Sequence, residues 1–287
     1  MRFTKMHGLG NDFVVIDDMS LQLKNYDELA RWLCDRNFGI GADGMVLLQH
    51  SDKAAFRMRI INSDGSEAEM CGNALRCIGK YVYEKGLTAE TVISLEMYND
   101  VKILRLRVAG NTVSTVEVDM GEPYLDSDQV PVTGEKRRVV GEEVSAAGET
   151  FTFTAVSMGN PHCVIFTDDA AGVPLETWGP ALETHPAFPR KTNVEFVEVS
   201  SPGEASFRVW ERGVGPTLAC GSGACAVLVA GVLNKKLDRK AKLHLPGGPL
   251  EIEWRDDNHV YMTGPATEVF QGELVTGDDF ADKYLKK

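Results

Sequence analysis

Met70-Cys71-Gly72-Asn73-Ala74-Leu75-Arg76-Cys77 and Ala219-Cys220-Gly221-Ser222-Gly223-Ala224-Cys225 are two versions of one stretch. In each, a Cys-Gly pair follows a strand-like run and opens an apolar, helix-like one. The cysteines stand 149 positions apart, at 71 and 220. The same offset joins Gly10 to Gly159, Asn11 to Asn160, Arg59 to Arg208 and Gly72 to Gly221 without a gap. A fixed offset held over such a span reads as an internal duplication. Two similar halves are therefore expected, each offering one thiol. Facing each other across a cleft, two such thiols could work the opposite faces of one carbon.

Working outward, short alternating or apolar runs bounded by Gly, Asn and Asp dominate both halves. They predict strands over 13–17, 45–49, 56–61, 91–97, 101–108 and 112–120, then over 151–156, 163–166, 194–199, 207–210, 250–254 and 259–262. Helical periodicity covers 26–36, 71–85, 175–183 and 221–236. Strands in runs with a few helices predict an α+β architecture of mostly antiparallel sheets. Gly121-Glu122-Pro123 reads as a linker, and a turn at Gly264-Pro265 precedes a last strand over 266–274. The helix after Cys71 carries Arg76, Lys80, Glu84 and Lys85, which predicts one wet face. The helix after Cys220 is small and apolar all round, the pattern of a buried helix.

Bulk composition sets the class. The chain has 287 residues, 43% hydrophobic and 25% charged, with a net charge of −12. That suits a globular protein with apolar residues enough for two cores. The negative charge argues against nucleic acid and anionic membrane as partners. The longest apolar run, near 219–233, is shorter than the roughly 20 residues a membrane span needs. The start, Met1-Arg2-Phe3-Thr4-Lys5-Met6-His7, lacks the apolar core of a secretion signal. A cytoplasmic protein with its six cysteines reduced is expected, and Cys34, Cys77, Cys163 and Cys225 read as small buried hydrophobes. No spacing of the C-x-x-C or H-E-x-x-H kind is present, so no metal is expected.

A cysteine at a helix start is a chemical position. The thiolate is the reactive form, and the half-positive helix end with its unpaired N–H groups stabilises it. The N–H groups of Gly72, Asn73, Gly221 and Ser222 suit a carboxylate. One thiolate and one thiol on opposite faces could remove and return a proton beside that carboxylate and so invert a stereocentre. The polar residues share the register: Asn11 matches Asn160, Asn62 matches Glu211, and Gly44 matches Asn193. Arg212 suits a bidentate pair with a further carboxylate. Taken singly, an Asn before a strand is a turn residue. His162 reads equally as a structural residue or as a group that tunes a cysteine.

With these residues in view, the chain resembles the diaminopimelate epimerases. His7-Gly8-Leu9-Gly10-Asn11-Asp12-Phe13, the two Cys-Gly stretches, Gly159-Asn160-Pro161-His162 and Trp210-Glu211-Arg212-Gly213 carry the resemblance, which runs from about residue 2 to 275. It implies two pseudo-symmetric domains, each a mostly antiparallel sheet or barrel wrapped around a central helix, with the last strand returning to the first domain. That divides the chain into 1–118 plus 266–287, and 119–265. It also implies a cofactor-independent isomerase that interconverts LL- and meso-diaminopimelate for lysine and peptidoglycan synthesis, and commonly a homodimer. By motif, Cys71 and Cys220 become the acid/base pair. Gly72, Asn73, Gly221 and Ser222 bind the reacting carboxylate. Asn11, Asn62, Asn160, Asn193, Glu211 and Arg212 hold other substrate groups, and His162 and Glu211 tune the cysteines. One departure is Gly44, where many relatives place Gln.

Three other readings compete. A two-cysteine proline or hydroxyproline racemase shares the chemistry but wants an apolar pocket, against which Asn62, Asn193 and Arg212 argue. A non-catalytic amino-acid-binding protein of the same fold would tolerate loss of both cysteines. A thiol redox protein would want the missing C-x-x-C.

Overall fold

The computed structural model describes residues 1–286 except 69, 99, 276, 278 and 279; of residue 281 the backbone alone is described. The chain forms two compact units, one of residues 1–118 and 264–287, the other of residues 119–263. Gly264 and Pro265 thus fall in the first unit, whereas the sequence reading put them in the second.

The first unit contains β1 (Arg2–Gly8), β2 (Asn11–Asp17), α1 (Tyr26–Cys34), β3 (Gly44–Gln49), β4 (Phe56–Asn62), β5 (Glu67–Ala68), α2 (Gly72–Glu84), β6 (Val92–Glu96), β7 (Val101–Ala109) and β8 (Thr112–Asp119). The second contains β9 (Val140–Ala146), β10 (Glu149–Ser157), β11 (Pro161–Phe166), α3 (Leu175–Glu183), β12 (Asn193–Ser201), β13 (Glu204–Glu211), β14 (Gly215–Pro216), α4 (Gly221–Leu233), β15 (Lys240–Leu245), β16 (Gly248–Trp254) and β17 (Val260–Gly264). The chain then returns to the first unit with β18 (Thr267–Glu273) and α5 (Phe280–Tyr284).

The two units share one strand plan. In the first, β18 pairs antiparallel with β1 and β1 with β2; β2 pairs parallel with β3; β3 pairs antiparallel with β4; β4 pairs parallel with β6; β6–β7 and β7–β8 are antiparallel. In the second, β9, β10, β11, β12, β13, β15, β16 and β17 follow in the same order, with the parallel steps again at β11–β12 and β13–β15. Even the register repeats at the fixed offset: Phe13 lies beside Gly44 as His162 lies beside Asn193. The duplication read from the cysteines is therefore a duplication of topology.

Each sheet holds one long helix. α4 is buried along nearly its whole length, as its uniform apolarity predicts, and packs on β10, β11, β12, β15 and β16. α2 packs on β1, β2, β7 and β18. Its predicted wet face is lost over most of the helix, because Arg76 is fully enclosed and Lys80 nearly so, and of the four residues that predicted it only Glu84 and Lys85 at the end are part-exposed. Their charges are met inside the unit: Arg76 donates to Gly72 O, Asn73 Oδ1 and Pro265 O, and Lys80 to Glu84 and Val113 O. A long cationic side chain can be core when carbonyls and a carboxylate meet its head. Close packing makes the α4 glycines sensitive. A Cβ at Gly231 would meet three side-chain atoms of Leu237 at 2.5–2.8 Å. Gly231→Ala is expected to cost about 1–3 kcal/mol of stability by overpacking, read from denaturant melts.

Candidate active site

In the first unit, Leu9 and Gly10 make the two-residue turn between β1 and β2, with φ of 57° and 90°. Such a turn needs positive φ at both central positions, which glycine supplies without strain. It delivers Asn11 to the start of α2. Asn11 Nδ2 donates to Asp43 at 2.7 Å, which points Oδ1 at the helix start. There Oδ1 accepts from Asn73 Nδ2 at 3.1 Å and from the Cys71 thiol at 3.6 Å. Arg76 in turn donates to Asn73 Oδ1 at 2.8 Å. Asp43 is held by Arg36, which also grips Asp12 with Lys5. Burial alone would push the Asp12 carboxyl up, but Arg36 and Lys5 win and hold it at about 2.

Cys71 caps α2 with an extended backbone, φ −149° and ψ 111°, and is half-buried. Asn62 closes β4 beside Gly44; its backbone N–H and side-chain amide both bind Ser66. Asn11, Cys71, Gly72 and Asn73 are thus brought together, while Asn62 sits in its own turn with Ser66.

In the second unit Cys220 caps α4 with φ −123° and ψ 108°, and its sulfur accepts from the Gly223 N–H at 3.3 Å. Ser222 Oγ lies 3.6 Å from the same sulfur and accepts from Asn160 Nδ2 at 3.2 Å. Asn160 Oδ1 is 3.1 Å from His162 Nε2, and His162 Nδ1 is 2.6 Å from Glu195 Oε1. Glu211, at the end of β13, accepts from the Thr217 hydroxyl. Asn193 is buried, with both ends of its amide engaged: Nδ2 donates to Pro161 O at 2.7 Å, and Oδ1 accepts from the Arg212 N–H at 2.9 Å. Glu183 pins the same turn by accepting from Trp210 Nε1 and the Gly213 N–H. On that braced turn the exposed Arg212 side chain reaches Arg190 O.

The helix start was expected to favour thiolate. At Cys220 it does not prevail. Burial, then the carboxylates of Glu211 and Glu195, push the thiol well above its ordinary value, against the smaller pull of Ser222 and the Gly223 N–H. Cys220 is therefore held as the thiol. Burial likewise raises the Glu211 carboxyl above its ordinary 4.5. A carboxyl raised by the fold is stable while protonated and costs stability as rising pH charges it. Glu211→Gln is therefore expected to raise the melting temperature at neutral pH, with the gain shrinking as pH falls through the raised folded-state value and gone by about 4.5, in paired thermal melts.

Sequence reasoning missed Glu195 and Arg76 as neighbours of the two cysteines. Glu195 was legible only as part of a strand. Its signal was the offset, which sets Glu195 opposite Val46 and His162 opposite Phe13.

Residues 3–125 and 154–269 match the diaminopimelate epimerase family. The chain belongs to that family. It is 55% identical to a diaminopimelate epimerase of Desulfitobacterium hafniense over 278 residues, covering 96% of this chain and 98% of that one. It is 53% identical to one of Methanococcus maripaludis over 275 residues, covering 96% and 99%. Among solved structures, a phenazine biosynthesis protein of the PhzF family from Bacillus anthracis shares the fold at a TM-score of 0.69 and 14% identity, over 96% of this chain and 99% of that one. A hydroxyproline epimerase of Agrobacterium vitis does so at 0.65 and 13%, over 95% and 91%. The α+β reading stands with these neighbours. No helix of the described residues is long and apolar enough to cross a membrane.

Proposed function

We propose that this chain epimerises LL-diaminopimelate to the meso isomer with no cofactor, Cys71 and Cys220 acting as the two proton-transfer groups at one α-carbon. The activity is that of its family, an isomerase reaction, and the 55% identity over 96% of the chain supports it. The observation that carries the mechanism is the matched pair of helix caps, Cys71 on α2 and Cys220 on α4.

One cysteine as thiolate takes the α-proton, and the other as thiol gives one to the opposite face. The N–H groups at the two helix starts, of Gly72 and Asn73 and of Gly221 and Ser222, meet the reacting carboxylate and stabilise the charge that develops on it. A Cβ at Gly221 would stand 3.0 Å from Met262 Sδ, so glycine there lets the helix start pack close against that side chain. Asn11 and Asn160, each tied to its own helix start, present amide groups to the substrate. Asn62 contributes a further one. Asn193 acts through its hold on the turn, and Arg212 takes the distal carboxylate. Glu211 and His162 set the proton affinity around Cys220.

The domain division of this reading is two epimerase halves, one around Cys71 and one around Cys220. A homodimer is part of it too: β18 pairs on one side with β1 and exposes Val269 and Phe270, apolar groups of the kind an interface covers. A cytoplasmic location is part of the same reading, supported by the free thiols, which persist in a reducing compartment.

The test is incubation of LL-diaminopimelate with purified protein and no added cofactor, followed by chiral chromatography, beside L-proline. Formation of meso-diaminopimelate with proline untouched is expected. Racemised proline with diaminopimelate unchanged moves the chain to the racemase branch. Neither reaction, under reducing conditions, favours a binding protein.

A further inference from the structure

Glu195 lies on β12 with its side chain fully buried. One oxygen is 2.6 Å from His162 Nδ1, and the other is enclosed with no hydrogen-bond partner among the described residues. Burying a carboxylate with half its capacity unmet is costly, so its presence needs a reason other than packing. Room for it comes from the helix above. A Cβ at Gly223 would stand 2.9 Å from Glu195 Oε1 and 3.1 Å from Cys220 Sγ.

The duplication supplies the comparison. At the fixed offset, His162, Glu195 and Gly223 correspond to Phe13, Val46 and Ala74. Those three are buried apolar residues of the first unit. An apolar trio beneath one cysteine-bearing helix is thus a histidine, a carboxylate and a gap beneath the other. The three differences are mutually dependent: the carboxylate needs the gap and the histidine needs the carboxylate.

We propose, resting on the two-thiol reading above, that Glu195 is a positioning residue for Cys220. An ionised carboxylate only accepts, so the Glu195 contact keeps a proton on His162 Nδ1 and fixes the ring. Asn160 Oδ1 also only accepts, so Nε2 donates to it in turn across 3.1 Å, Asn160 Nδ2 donates to Ser222 at 3.2 Å, and Ser222 lies 3.6 Å from the Cys220 sulfur. Each link orients the next, as outer-shell partners orient reacting groups. The first unit replaces this chain with the direct Asn11 contact to Cys71.

The experiment uses the full chain with 15N-labelled histidine and compares Glu195→Gln, Gly223→Ala and Ala74→Gly with the parent. Expected in Glu195→Gln are a kcat lower by about tenfold or more with KM within about threefold, an upfield move of the His162 Nδ1–H resonance, and a melting temperature no lower than the parent's. A packing role would instead lower the melting temperature and spare kcat. Gly223→Ala is expected to lower kcat similarly by displacing the carboxylate, whereas Ala74→Gly leaves kcat and the resonance unchanged. A folded Glu195→Gln with parental kcat and an unmoved resonance overturns the proposal. If that variant does not fold, parental kcat in Gly223→Ala overturns it, as does a parent that shows no low-field His162 Nδ1–H. A parent that turns over no diaminopimelate refutes the reading of the reaction; the resonance comparison still decides whether Glu195 sets His162.

Discussion

Cys71→Ser and Cys220→Ser each lower kcat for diaminopimelate by about 10³-fold while leaving the melting temperature at or above that of the parent. The loss follows from acidity: a serine hydroxyl is a far weaker acid than a thiol, so it neither gives up a proton to become the base nor releases one readily as the acid. The preserved stability follows from position. Both cysteines are N-caps with extended backbone, and serine is among the favoured residues there. At Cys220 the sulfur already accepts from the Gly223 N–H, a bond a serine oxygen makes better. Rate assays beside thermal melts check both halves. Near-parental kcat in either variant would end the two-thiol account.

Arg212→Ala lowers kcat/KM for diaminopimelate by about 10²–10³-fold, through loss of a charge-assisted, bidentate grip on the distal carboxylate. The turn itself should survive the change. Asn193 holds the backbone N–H of Arg212, and Glu183 holds Trp210 and Gly213, none of them through the guanidinium. The discriminating substrate is lysine, which keeps the distal amine and lacks the distal carboxylate. Its slow α-proton exchange should be nearly the same in parent and variant. Equal losses for both substrates would remove Arg212 from distal recognition.

The duplication was legible because the offset of 149 runs without a gap through the residues nearest the helix starts. Strands with clean alternation, such as β4 and β13, were legible for the usual reason of one buried face. β1 was not: Arg2, Lys5 and His7 break its apolar pattern, and Lys5 is tolerated inside only because it binds Gly41 O and Asp12. β9 was missed because Gly141 and the adjacent Glu142 and Glu143 interrupt the apolar pattern of Val140–Ala146. β15 alternates cleanly along Lys240–Leu245 with one buried face, so it was legible on the same ground as β4 and β13 although no strand was predicted there. β5 and β14, two residues each, carry no period at all.

At the site, residue types and their register could be read, but the partners could not. That Asn193 spends its amide on Pro161 and Arg212 depends on how β11, β12 and the turn after β13 meet. That Arg76 is core rather than surface depends on carbonyls at Gly72 and Pro265, the latter remote in sequence. The rise in the Cys220 pKa is likewise a property of burial and of two carboxylates from neighbouring strands, which a helix-start argument alone misses.

The most direct test of the two-thiol claim is where deuterium first goes. LL-diaminopimelate is incubated with the protein in deuterated water, and both isomers are separated at low conversion and examined by NMR. Two groups on opposite faces predict deuterium at the α-carbon of the newly formed meso isomer and ordinary hydrogen in the recovered LL isomer, because the group that took the proton returns it to the same face. Deuterium in both isomers from the outset, or a meso product that keeps its original proton, would mean that one group serves both faces and would contradict the account.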